Sequence, residues 1–176
     1  MATTDLGLPY PAITDAPNGP VQIGDLAKAV DARLKPLTEQ TWTGYTPLWT
    51  ASGVNPVINS LGKISGRYQQ TGKRVHCVGR ISMGTNTSWG TGLWYVTLPV
   101  QARWDSDVQF QMLSPGAAYC FDNSDTGNRF GAIALIADPN KLMFVTSNGA
   151  GNVSQNIPFI WATSDHLDWS ITYEAA

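Results

Sequence analysis

Three features of this chain predict a mainly β fold, an antiparallel jelly-roll-like sandwich preceded by an extended arm and one short helix. From about residue 41 onward, short runs rich in Val, Ile, Thr and aromatic residues are separated by clusters of Gly, Asn, Asp, Ser and Pro, the signature of an all-β sandwich or barrel. Several of these runs alternate apolar with polar residues, the period of a strand that buries one face. Ahead of them stand a proline-rich stretch and a single helical repeat, with no second helix to follow.

The arm is residues 1–19, MATTDLGLPYPAITDAPNG, with Leu6, Leu8, Tyr10 and Ile13 set between prolines at 9, 11 and 17. Proline fixes φ and removes a donor, so an extended, polyproline-like course is expected, either disordered or laid along another surface. Residues 20–37 read as a helix that opens on Pro20 and stops at Pro36. Ile23, Ala27, Val30, Leu34 and Leu37 are spaced 4, 3, 4, 3, a seam of about two heptads. A helix this short, with Gly24 inside it, is marginal alone. Its stripe must pack either on the chain's own β domain or against copies of itself.

Residues 41–176 form the expected β head, with strands near 45–51, 63–70, 73–83, 92–98, 107–113, 116–121, 129–137, 141–146, 157–161 and 167–174. Val75, Cys77, Gly79, Ile81 and Met83 alternate with His76, Val78, Arg80 and Ser82, and Leu167, Trp169, Ile171 and Tyr173 with Asp168, Ser170, Thr172 and Glu174. By contrast FGAIALIA, residues 130–137, is apolar on both faces and needs cover on both, from the core on one side and a neighbouring subunit or a loop on the other.

Composition narrows the function. Charged residues are 14% of the chain and the formal net charge is −2 with no basic run, so the electrostatic footprint of a nucleic-acid binder is missing. No apolar run is long enough to span a bilayer, and the N-terminus reads as neither a signal peptide nor an anchor. Cys77 and Cys120 each fall in an apolar run and read as buried free thiols.

Catalytic patterns are sparse. Neither His76 nor His166 has a second His or a Cys at a metal-ligand offset, and no nucleophile elbow, Walker A loop, dinucleotide turn or zincin motif occurs. DNSDTGN, residues 122–128, imitates a calcium loop through Asp122, Ser124 and Thr126, yet Ile133 stands where the bidentate Glu belongs, so a plain turn is expected. Asp105 with Asp107 and Asp165 with Asp168 are explained as turn residues. No enzyme, cofactor or metal is expected. Of seven Trp, Trp94, Trp161 and Trp169 fall within predicted strands as core, whereas Trp89 and Trp104 fall in loop or edge positions that suit a sugar face or a subunit contact equally.

Residues 61–100, LGKISGRYQQTGKRVHCVGRISMGTNTSWGTGLWYVTLPV, resemble a β module of phage virion proteins, the minor tail, fibre and head-fibre proteins of phages infecting actinobacteria. The resemblance rests on a GxxSGRY strand, a Gly turn into a V-H strand, MG, a Thr/Ser-rich loop, GTG and LPV. DWSITYEAA is similar to the way such modules end, and LPYPAITDAPNGPVQIGDLAKAVDARL to the segment that precedes them. The resemblance implies a homotrimeric fibre or spike in the virion. Leu6, Leu8, Tyr10 and Ile13 would then attach to a larger capsid or tail protein, and Ile23, Ala27, Val30, Leu34 and Leu37 would bundle three chains. The head would meet a host cell-surface glycan or protein through loops 84–92 and 122–128, with Trp89, Trp104, Asn86 and Asp125 as candidate contacts. Two other readings stay open, a capsid decoration protein without a receptor and a monomeric carbohydrate-binding module.

Overall fold

A computed structural model describes residues 2–4, 6–38, 40–59, 61–104, 115–125 and 128–176. The predicted strand at 107–113, with Asp105 and Asp107, lies outside them. Two compact units emerge, Met1–Thr41 and Trp42–Ala176.

In the first unit, β1 (Ala2–Thr3) and β2 (Pro9–Tyr10) pair antiparallel, and α1 spans Gly19–Thr38. The arm is therefore not one extended strand. Gly7 at φ +69° reverses the chain, and Thr4 N donates to Leu8 O at 2.9 Å across that reversal. Asn18 precedes α1, its carbonyl accepting from Gln22 N at 3.0 Å. The helix also runs past the stop expected at Pro36. Proline forfeits one helical hydrogen bond, and so close to the end little helix remains to be disrupted.

In the second unit nine strands follow: β3 (Thr43–Tyr45), β4 (Trp49–Ala51), β5 (Lys63–Thr71), β6 (Arg74–Ser82), β7 (Trp94–Thr97), β8 (Gly116–Phe121), β9 (Arg129–Asp138), β10 (Lys141–Thr146) and β11 (His166–Glu174). The mainly β, antiparallel class is as expected. The facing layers, however, belong to one hydrogen-bonded sheet of order β3-β5-β6-β11-β8-β9-β10-β7-β4, not to two separately bonded sheets. Two predicted strands are also revised. The run 45–51 divides into β3 and β4, which occupy opposite edges, and 157–161 is a loop held by a single bridge from Ile157 to Ser154. Pro158, lacking an N–H, cannot continue a ladder there.

Connectivity dictates the curl of this sheet. Nine strands laid flat at about 4.8 Å put the edges about 38 Å apart, whereas the three residues between β3 and β4 reach at most about 14 Å. The sheet must bend until its edges approach each other. Buried Pro47 lies in that connection. Residues 98–103 brace the bend at one end: Leu98 N donates to Asn140 O at 2.8 Å and Arg103 N to Glu174 O at 2.7 Å.

The concave face holds the core. Val75, Cys77 and Ile81 of β6, Leu167, Trp169, Ile171 and Tyr173 of β11, Ala132, Ala134 and Ile136 of β9, and Leu142 and Phe144 of β10 are buried, as the alternation predicts. Phe144 and Trp169, three strands apart in order, have ring centroids 5.8 Å apart, which the curl alone permits. Trp94 meets Trp49 edge-on at 4.6 Å and Trp161 at 4.9 Å. On the far side of β9, Leu135 is buried but Ile133 is 41% exposed, so cover there is incomplete. Both cysteines are free and buried, and burial pushes the Cys120 thiol up to about 12, which keeps it protonated.

Two glycines set the packing of β5 on β6. Gly66 and Gly79 are direct cross-strand partners. A Cβ on Gly66 would fall 2.3 Å from the Tyr45 ring, and one on Gly79 would fall 2.2 Å from the Trp169 ring. The paired glycines thus open a slot for two aromatic rings, and beside it Tyr45 Oη and Cys77 Sγ share a 3.0 Å hydrogen bond. Gly79→Ala must displace a core indole and is expected to cost about 1–3 kcal/mol, read as a lower urea midpoint with unchanged slope. Wild-type stability in that variant would remove the packing argument.

Candidate functional site

The convex face of β5, β6, β11 and β8 carries the side chains that alternation turns away from the core. Register stacks them in rows across the strands. One row is Ser65, Arg80, Asp168 and Tyr119, the next Arg67, Val78, Ser170 and Ala117, and the third Gln69, His76 and Thr172. Three adjoining positions of the middle row are small while long side chains border it. The result is a groove of about 490 Å³ whose floor is formed by Val78, Ser170 and Ala117.

The first row, which lines the groove, is held in place. Arg80 grips Asp168 through two contacts, Nε to Oδ1 and Nη2 to Oδ2, the latter at 3.1 Å. His166 Nε2 lies 3.4 Å from Asp168 Oδ2 and stacks on Phe121 at 4.5 Å. The bond to Asp168 holds the Arg80 pKa above its ordinary value, and burial, then the Asp168 carboxylate, does the same for Tyr119. Near neutral pH the site therefore presents a fixed ion pair beside a neutral phenol. In the third row, outside the lining, His76 Nδ1 and Thr172 Oγ1 share a 2.9 Å hydrogen bond and Trp42 meets His76 edge-on at 5.5 Å, while the Arg67 guanidinium, which does line the groove, sits 4.5 Å above Trp42. The groove can hydrogen-bond, stack and attract an anion.

The antiparallel order places every loop. Residues 52–59, 61–62, 83–93, 122–125, 128 and 147–165 gather at one end of the sheet, whereas 72–73, 98–104 and 139–140 lie at the other. Trp89, Asn86 and Asp125 are therefore at the first end and Trp104 at the second. Trp89 is half-buried against the core and Trp104 is 42% exposed. Asn86 turns at φ +60° and accepts on its carbonyl from Asn59 Nδ2 at 3.1 Å, while Asp125 bonds to Asn128. Among the described residues no hydrogen bond or ring contact joins these four candidates.

In the first unit Leu6 and Tyr10 are exposed, Ile13 fully so, and Leu8 is half-buried. Along α1 the side chains of Ile23, Ala27, Leu34 and Leu37 are exposed and Val30 is half-buried. Trp42, Arg67, Arg80, Tyr119 and Asp168 were not singled out as a site by sequence reasoning. The available signal was the polar register of β6 and β11, which names outward residues strand by strand without aligning them.

At the first end two carboxylates are structural. Asp122 Oδ1 accepts from Ser124 N at 2.9 Å and from Ser124 Oγ at 2.6 Å, closing a turn. Fully buried Asp165 accepts from Asn123 N at 2.8 Å and Ala162 N at 2.6 Å, so it ties two loops together, while Asp168 is engaged on the convex face. Among the described residues no group of three or more His, Cys, Asp or Glu is arranged to hold a metal ion. None of the described helices is long and apolar enough to cross a membrane.

Burial, reinforced by nearby Asp122, raises the Asp165 pKa above its ordinary 3.8, against the opposing pull of its two backbone donors. Its folded form binds a proton more readily than the unfolded chain does. Its titration therefore stabilises the fold increasingly as pH falls through the raised value, fully so below 3.8, and that contribution is lost as pH rises. Asp165→Ala strands two amides and is expected to cost about 2–4 kcal/mol at pH 7, with a deficit that widens on acidification, measured by urea unfolding across pH. A deficit independent of pH would contradict the titration, and none at all would contradict the tie.

Comparison with known proteins returns no match: no family model, no curated protein and no solved structure.

Proposed function

We propose that this chain is a non-enzymatic phage virion structural protein, three copies of which assemble through the N-terminal unit into a short fibre or spike on the capsid surface or tail. The arm docks onto a larger capsid or tail protein, and the β head faces outward toward a host cell-surface glycan or protein. The observation that carries this reading is the apolar stripe of α1, of which Ile23 is 69%, Leu34 50% and Leu37 53% exposed. Fully burying such a side chain is worth about 1.5–3 kcal/mol, so a bundle of three copies gains what a lone helix forgoes. The β unit supports the same division of labour, since its core is drawn from its own residues, Tyr45 onward. The family resemblance of residues 61–100 supports the virion setting and the number three.

Sedimentation equilibrium at micromolar concentration should return three times the 19.0 kDa chain mass, and a 19 kDa species would refute the assembly. Val30→Asp with Leu34→Asp should reduce the trimer to a folded monomer, because each charge would enter an apolar seam. A variant that remains trimeric by the same measurement would refute the bundle. Removing residues 2–17 should leave an oligomeric head that fails to enter particles, scored by immunoblot of purified virions; normal incorporation would refute the role of the arm.

A further inference from the structure

We infer that the groove across β5, β6, β11 and β8 binds a saccharide that carries a carboxylate. This deepens the receptor contact proposed above and rests on that reading for the source of the sugar, whereas the chemistry stands on the groove alone. A peptide strand is a poor occupant. The floor belongs to strands hydrogen-bonded on both sides, so their backbone groups are already paired and a docking peptide would find no ladder to extend. A second protein is also a poor fit, since a dozen residues line the groove where a standard interface uses about 20–30 on each side. A volume of about 490 Å³ falls within the roughly 300–1,000 Å³ range of small-ligand sites.

The lining selects the ligand. Among the described residues no protein group bonds the hydroxyl of Ser65 or Ser170, which leaves both free to exchange hydrogen bonds with sugar hydroxyls. The planar Arg80–Asp168 pair adds donors and acceptors side by side, the arrangement that neighbouring hydroxyls on a sugar ring match. Val78, Ala117 and the Tyr119 ring supply apolar surface for the C–H face of that ring.

Charge decides the rest. Arg67 and Arg80 face the groove against one carboxylate, Asp168, and Arg80 already holds it. Among the described residues Arg67 has no carboxylate partner. Trp42 beneath its guanidinium positions the cation, and the remaining edge of the fork suits a bidentate carboxylate.

The test uses the full chain on an array of glucuronate-, galacturonate- and sialate-bearing oligosaccharides, each beside its methyl-esterified, uncharged form, with affinities then measured by calorimetry. At least one free acid should bind about tenfold or more tightly than its ester. Arg67→Ala should erase that preference, and Ser170→Trp, which fills the floor from the convex side, should abolish binding with the solution mass unchanged. Equal binding of acid and ester, or no binding at millimolar sugar, overturns the inference. So does binding that survives Ser170→Trp. If Ser170→Trp fails to fold, Tyr119→Ala is substituted and must weaken binding at least tenfold, and unchanged affinity there overturns the inference equally. Loss of the trimer on filling the groove would make this face a subunit contact and also overturn it. The mass measurement keeps the two proposals apart: a monomer that binds the acid form refutes the fibre alone, and a trimer that binds nothing refutes the groove alone.

Discussion

Three residues, Thr46, Pro47 and Leu48, connect the two outermost strands of a nine-stranded sheet, and this short tether governs the rest of the β unit. Hydrogen bonding along each ladder favours a continuous sheet, while the tether forbids that sheet from lying open. Curling satisfies both. It also creates an interior, because side chains from strands far apart in the order, such as Phe144 and Trp169, are brought into contact. Trp49, Trp94 and Trp161 then fill the space that the bend encloses, and the hydrogen bonds of residues 98–103 hold one mouth in shape.

The same strands serve opposite purposes on their two faces. Inward, the Gly66–Gly79 pair admits the rings of Tyr45 and Trp169 where any Cβ would collide. Outward, the small residues Val78, Ser170 and Ala117 lie beside the longer side chains of Arg67, Arg80, Asp168 and Tyr119, so a sheet that is densely packed within is furrowed without. A groove floored by central strands inherits the stiffness of the core behind it, and the polar groups on its rim are fixed by ion pairing and ring contacts instead of by loop geometry.

The N-terminal unit follows a different logic. Its hairpin is two residues on each side, and its helix leaves much of its apolar stripe in water. The β unit, by contrast, buries a large apolar cluster built from β4, β6, β7, β8, β9, β10 and β11 and their loops. The three-copy assembly proposed above would bury that stripe.

Much of the fold could be read from residue order. Alternation located β5 to β11 to within a few residues and assigned each outward side chain of β6 and β11 to the polar face. Failures came where local pattern and tertiary demand diverge. The run 45–51 looked like one strand, yet Pro47 interrupts it so that its halves can serve opposite edges; 157–161 looked apolar enough for a strand, yet Pro158 withholds a donor. Of the two loop tryptophans expected as exposed rings, Trp104 is exposed, whereas Trp89 leans on the core. What the sequence by itself determined was which residues face outward, since period two is a property of one strand. Only the tertiary structure decided that Arg80, Asp168 and Tyr119 form one row, and Arg67, Val78, Ser170 and Ala117 another, because register between strands distant in the chain is set by the closing of the sheet and leaves no local trace.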